Sequence, residues 1–134
     1  MPIRKINRGD LMTKRVLDVG QCNPDHSAIR RLLERSFQAQ VVRTHELLDT
    51  LQALREQAYD LILINRKLDI DYSDGMEILR ELKADAKLSQ IPVMLVTNFP
   101  EYQAAAVEAG AVPGFGKDEL NQPQTAEKLK KYLG

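Results

Sequence analysis

The sequence predicts an α/β fold in which a five-stranded parallel sheet is doubly wound, with helices on both faces. Three observations predict it. Short apolar runs alternate five times with segments of helical periodicity, the order of consecutive βα units. The third run, Leu61-Ile62-Leu63-Ile64, is apolar at every position, as a strand covered on both faces must be. Glycine, proline and asparagine punctuate the chain where strands and helices should change over.

Residues 1–13 are polar and basic without sustained periodicity and are expected to form a flexible leader, with Met12 as an alternative start. The folded domain is expected over residues 14–134. Arg15 to Val19 reads as the first strand, stopped by Gly20 and interrupted by the charge of Asp18. Asn23-Pro24 signals a helix start, with Asn as the cap, and Ile29, Leu32, Leu33 and Phe37 follow at helical spacing. Gln40 to Arg43 is a second strand. Thr44 can cap the next helix, whose Leu47, Leu48, Leu51 and Leu54 read as a core-facing stripe.

The third strand runs from Asp60 to Asn65, and a polar loop spans Arg66 to Asp74. Met76, Ile78, Leu79 and Leu82 mark the third helix. Ile91 to Thr97 is the fourth strand, with Pro92 at its start, where a missing N–H is tolerated. Pro100 opens an alanine-rich helix closed by Gly110, Val112 to Gly116 form a short fifth strand, and Thr125 to Leu133 make a last amphipathic helix. This order is that of flavodoxin-like sheets, which carry function at the carboxyl ends of their strands. That rule selects Gly20 to Asn23, Asn65 to Lys67, Thr97-Asn98 and Gly116-Lys117.

A length of 134 residues is one domain with room for one core. Nineteen basic and nineteen acidic residues cancel, so no global field draws the chain to nucleic acid or anionic lipid. One cysteine excludes an internal disulfide and fits a reducing compartment. No apolar run has membrane-spanning length, and Met1 to Lys5 lack a signal peptide's apolar core. A cytoplasmic protein is expected. No GxGxxG or GxxxxGK[ST] is present.

Across roughly residues 14–133 the chain resembles the receiver (CheY-like) domain of response regulators in two-component signal transduction and phosphorelays. The resemblance is carried by the third strand, by Ile91-Pro92-Val93-Met94-Leu95-Val96-Thr97, by Ala109-Gly110-Ala111 and by Lys117. It implies an acidic pair after strand one that holds Mg²⁺, and a phosphoacceptor Asp after strand three. It also implies a Thr or Ser after strand four and a Lys after strand five that contact the phosphoryl oxygens. Here Gln21 and Cys22 stand for the acidic pair and Asn65 for the acceptor, while Thr97 and Lys117 are retained. An amide lacks the nucleophilicity and charge that phosphoryl transfer needs. With amides and a thiol in place of carboxylates, Mg²⁺ binding is expected to be weak or absent. No other cofactor is expected, and Lys117 is expected to lack its usual partners.

The resemblance further implies a Tyr or Phe three residues before the lysine that moves between exposed and buried states. That position is Gly114, with Phe115 next to it on the opposite face of the strand, and the proline expected after the lysine is Asp118. The loop after Asn65 is about two residues longer than in the family, and the one after Thr97 about two shorter. The leading expectation is an atypical receiver, a pseudo-receiver that acts by protein–protein interaction without catalysis. The implied contact face carries Tyr102, Ala106, Gly114 and Lys128 to Lys131, and the implied partner is a signalling or histidine kinase-related protein.

The residues also admit other chemistry. A receiver phosphorylated on a displaced acid, Asp69 or Asp71, is one alternative. A thiol sensor at Cys22 is another, because a helix start lowers a thiol's pKa and His26 lies one turn on. Ala28 stands where a cysteine phosphatase needs arginine, so an inert, half-buried cysteine is favoured. Asp18 is expected at the rim with Lys14 or Arg43, and His26 on the surface near Asp25. Asp69, Asp71, Ser73 and Asp74 fail as an EF-hand, since Asp74 and Arg80 occupy its Gly and Glu places, and Asp74 is expected to cap the third helix. Arg66 and Lys67 add positive charge near Lys117 that solvent or an acidic partner can satisfy.

Overall fold

The computed structural model describes residues 13–134, so all but the last residue of the expected leader lies outside the described residues. The elements are β1 (Arg15–Val19), α1 (Asn23–Phe37), β2 (Gln40–Thr44), α2 (Leu47–Glu56), β3 (Leu61–Asn65), α3 (Met76–Ala84), β4 (Val93–Val96), α4 (Pro100–Glu108), β5 (Val112–Phe115) and α5 (Pro123–Leu133), with a 3₁₀ turn over Lys117–Glu119. All strand pairs are parallel, in the order β2-β1-β3-β4-β5. β3 lies at the centre, which is why it is apolar from Leu61 to Ile64.

The two-residue period of a strand divides the apolar residues between the faces. Leu17, Val19, Ile62, Ile64 and Leu95 pack with Ile78, Leu79 and Leu82 of α3. Val16, Leu61, Leu63, Met94, Val96 and Phe115 pack with Ile29 and Leu33 of α1 and Leu129 and Leu133 of α5. Each such large side chain contributes roughly 1.5–3 kcal/mol by leaving water. Phe115 is therefore on the face away from α4, as its place beside Gly114 predicts.

Three local expectations change. Cys22, not Asn23, is the N-cap of α1, and Pro24 lies in its first turn. Thr44 ends β2 and bonds Thr50 hydroxyl to hydroxyl at 2.8 Å, whereas Glu46 and Asp49 cap α2 reciprocally. Leu48 is exposed and does not belong to the core stripe. A strand that ran one residue further than its apolar pattern displaced the helix start.

Gly20 ends β1 with φ +77, a left-handed conformation open to glycine. The chain turned there lets the Gly20 carbonyl accept the Asp69 N–H at 3.0 Å. The long loop after β3 folds back on itself. Lys67 and Asp74 form an antiparallel bridge, and Leu68 N–H donates to Ser73 O at 2.9 Å. Gly75, not Asp74, is the N-cap of α3, and Asp74 Oδ1 one residue earlier accepts the Met76 amide at 2.9 Å.

Candidate functional site

The carboxyl ends of β3 and β4 and the segment after β5 meet at a cavity of about 290 Å³, lined by Asn65, Arg66, Lys67, Val96, Thr97, Asn98, Phe99 and Lys117. The fold thus brings together Asn65, Thr97 and Lys117. No carboxylate lines this cavity.

Asn65 is held by bonds only an amide can make. Its Nδ2 donates to Gly20 O at 3.2 Å and to Lys67 O at 2.6 Å. A carboxylate there would face two carbonyl oxygens with no proton between them. The amide also occupies the Lys67 carbonyl oxygen and shares the Gly20 oxygen with the Asp69 N–H. Thr97 is buried and its Oγ1 accepts the Phe99 N–H at 3.3 Å, so its own hydroxyl proton stays available to donate. Asp118, in place of proline, has an N–H, and it donates to Asn98 Oδ1 at 3.1 Å.

Lys117 does have a partner. Its Nζ lies 2.6 Å from Asp25 Oδ2, and the same oxygen accepts the Cys22 thiol at 3.0 Å. Burial opposes ionisation of Asp25, but the bonds from Lys117 and then Cys22, with the lysine's charge, outweigh it. The carboxyl is held below its ordinary value. Cys22 is exposed rather than half-buried, and its proton is committed to that carboxylate. Residue spacing alone does not reveal this chain of three, because Lys117 reaches Asp25 only across the fold.

Asp18 and His26 lie elsewhere than expected. Asp18 is fully buried and its Oδ2 sits 2.7 Å from His26 Nδ1, itself buried on α1. Gln21 is buried beside them with neither amide atom paired, and Asp18 Oδ1 is likewise unpaired. Burial raises the Asp18 carboxyl, opposed in part by the bond and charge of His26, then by the nearby Gln21 and Arg43. Neither Asp18 nor Gln21 lines the cavity. Strand alternation explains it: Asp18 shares the face of Val16, under the first turns of α1.

The loop acids stand apart as well. Asp69 pairs with His45 at 3.0 Å and lies 3.7 Å from Arg43. Asp71 is exposed, accepts the Ser73 N–H, and lines a different depression among Glu46, Asp74, Glu77 and Glu81. Arg66 stacks on the Tyr102 ring at 3.8 Å, and Phe99 meets that ring edge-on at 6.0 Å. On the expected contact face Ala106 and Gly114 are buried, Tyr102 and Lys128 are partly covered, and Lys131 is exposed. Ala106 packs on the sheet, the role small residues take against strands, and leaves Ala104 and Ala105 at the surface.

Among the described residues, no group of three or more His, Cys, Asp or Glu side chains is placed to hold a metal ion. The donors at the cavity, an inward-facing amide N–H₂ and an already bonded thiol beyond it, do not fit Mg²⁺, which takes carboxylate and water oxygens. No helix among the described residues is long and apolar enough to cross a membrane.

Comparison with known proteins agrees with this architecture. The chain is 31% identical over 124 residues, 92% of its length and 98% of the relative's, to the polar-differentiation response regulator DivK of Brucella ovis. The signal receiver domain of a DNA-binding response regulator (merR) from Colwellia psychrerythraea superposes with a TM-score of 0.74, at 20% identity, over 88% of this chain and 96% of that one. The receiver domain of the sensor histidine kinase PA1611 of Pseudomonas aeruginosa, solved with magnesium in its active-site cleft, gives 0.65 at 21% identity, over 90% and 94%. Residues 24–132 match the response regulator receiver domain, and the chain belongs to that family of two-component signalling proteins.

Proposed function

We propose that this chain is a pseudo-receiver: a receiver domain that is not phosphorylated at the usual position and signals by contact with another protein. One observation carries the reading. The Asn65 side chain sits at the end of β3 as a hydrogen-bond donor to Gly20 O and Lys67 O, without a nucleophilic carboxylate oxygen. Gln21 is buried away from the cavity and the Cys22 thiol is bonded to Asp25, so neither replaces the acidic pair.

The domain on this reading spans residues 14–134, resides in the cytoplasm and catalyses no reaction of its own. Its partner is a signalling or histidine kinase-related protein rather than nucleic acid or a membrane. The face formed by α4, β5 and α5 is the proposed contact, with Tyr102 and Lys131 reachable from solvent. The geometry weakens the displaced-acceptor alternative, because Asp69 is engaged by His45 and Arg43 and Asp71 is surrounded by other acids. A phosphoryl group on Asp71 would meet like charge with no lysine to offset it. A sensor role for Cys22 is weakened by its bond to Asp25.

Incubation with Mg²⁺ and acetyl phosphate, followed by intact mass measurement, tests the proposal. No phosphoryl gain is expected, beside an ordinary receiver that labels. A gain that mild base removes, as it removes acyl phosphates, overturns the reading.

A further inference from the structure

Gly114 holds the place where the family resemblance implies a moving aromatic, and the surrounding backbone accounts for the absence of any side chain. β5 is irregular opposite Leu95. Met94 pairs with Val112 and Val96 with Phe115, so Pro113 and Gly114 together face one residue of β4. Such a bulge breaks the ladder and leaves backbone groups without partners. A Cβ on Gly114 would collide with the Leu95 carbonyl oxygen and come within 3.1 Å of Gln103 Oε1.

Gln103, on the first turn of α4, repairs the break. Its Oε1 accepts the Gly114 N–H at 3.0 Å. Its Nε2 donates toward Leu95 O at 2.9 Å, Thr97 O at 3.2 Å and Phe115 O at 3.3 Å. The side-chain amide thus stands in for a peptide group between β4 and β5. From α5, Lys128 Nζ donates to Gly114 O at 2.9 Å. Both backbone polar groups of Gly114 are therefore held by side chains, from two different helices.

We propose that Gln103 is a fixed lock that ties α4 to the β4–β5 edge and holds the α4–β5–α5 face in one arrangement, whatever occupies the cavity at Asn65, Thr97 and Lys117. The inference deepens the pseudo-receiver reading, on which its biological meaning rests. A switch needs an element with two arrangements close in free energy. Swinging Gln103 away removes this partner from an N–H and up to three carbonyls of a part-buried edge, of which Phe115 O keeps a backbone donor, the Thr97 N–H at 3.1 Å. The carbonyls of the cavity residue Thr97 and of Phe115 on β5 are bonded to the same amide. Thr97 N–H also donates directly to Phe115 O at 3.1 Å, and Gln103 braces that link, which makes it the positioning residue of the surface.

Backbone amide exchange and relaxation dispersion, recorded by NMR on the full chain, test the lock. Gln103→Met fills similar space without the bonds. It is expected to speed exchange of the Gly114 amide by about tenfold or more, the measure of a lost local constraint. It should also bring millisecond broadening to Leu95, Thr97 and Phe115, which are expected to be sharp in the native chain. Gln103→Glu, almost the same size, turns an oxygen on those carbonyls and should broaden them too, which a space-filling role would not do. The proposal is overturned if Gly114 exchange in Gln103→Met stays within about threefold of native, well under the loss of one constraint. It is equally overturned if the native chain is already broadened there, or if Gln103→Glu leaves Thr97 and Phe115 sharp. A phosphoryl gain in the mass experiment refutes the pseudo-receiver reading without touching these signals, so the two failures are told apart.

Discussion

The carboxyl edge of the sheet and the interior just beneath it treat charge in opposite ways. At the edge, the three positions where the family implies carboxylates hold Gln21, Cys22 and Asn65, and the charged groups lining the cavity, Arg66, Lys67 and Lys117, are all basic. Beneath it, on a face otherwise apolar, a carboxylate is buried completely: Asp18, held by His26. Removing charge from a solvated rim changes what the rim can do and leaves the fold in place, because the fold is held by the apolar layers. Keeping a charge inside those layers is expensive unless its partner is present. Chemistry and stability are therefore carried by different residues within a few ångströms of the same strand.

The largest expected effect comes from breaking the interior pair. His26→Ala leaves the Asp18 carboxylate buried without its bonded partner and should cost about 3 kcal/mol, measured by urea unfolding. A loss below about 1 kcal/mol, the range of a surface pair, would mean that water reaches Asp18 and that interior and edge do not differ.

The pH dependence sharpens the same contrast at smaller scale. Asp18 has its native carboxyl raised above the ordinary value of 3.8 by burial, so the native state holds a proton that the unfolded chain has already released. Stability contributed by that proton is present below the ordinary value and is lost as pH rises through the raised one. Thermal scans at pH rising from the ordinary value of 3.8 should show this decline, and Asp18→Asn should flatten it. A slope unchanged in Asp18→Asn would assign the decline to other groups.

The smallest effect belongs to the edge. Asp25 and Lys117 have side chains 32% and 29% exposed, so Asp25→Ala should cost less than about 1 kcal/mol. The loss should shrink further as salt is raised. A salt-independent loss of the size expected for His26→Ala would place Asp25 energetically inside the protein and erase the distinction.

Much of the fold was legible because it depends on local pattern. The apolar run at Leu61 to Ile64 marked the sheet's centre, and Pro100 opened α4 where a proline signals a start. Asn65, Thr97 and Lys117 were legible as one site because strand ends of a parallel sheet converge, whatever the details of packing. Leu48 was misread because a leucine at helical spacing does not tell which flank of its stripe meets the sheet. His26 was misread because the three-and-four spacing that puts it on the inner face with Ile29 and Leu33 was overruled by its polarity.

The sequence by itself determined the order of elements, the placing of the cavity residues and the absence of carboxylates at the expected positions. Those depend on residue type and period, which local sterics and hydrophobicity translate directly into strands and helices. Tertiary structure alone decided that Asp25 answers Lys117, that His26 answers Asp18, and that Gln103 enters the gap opened by Gly114. Each joins a side chain to a group on a different element. Hydrogen bonds act over about 3 Å, so a partnership of that kind exists only once packing has fixed which side chains meet.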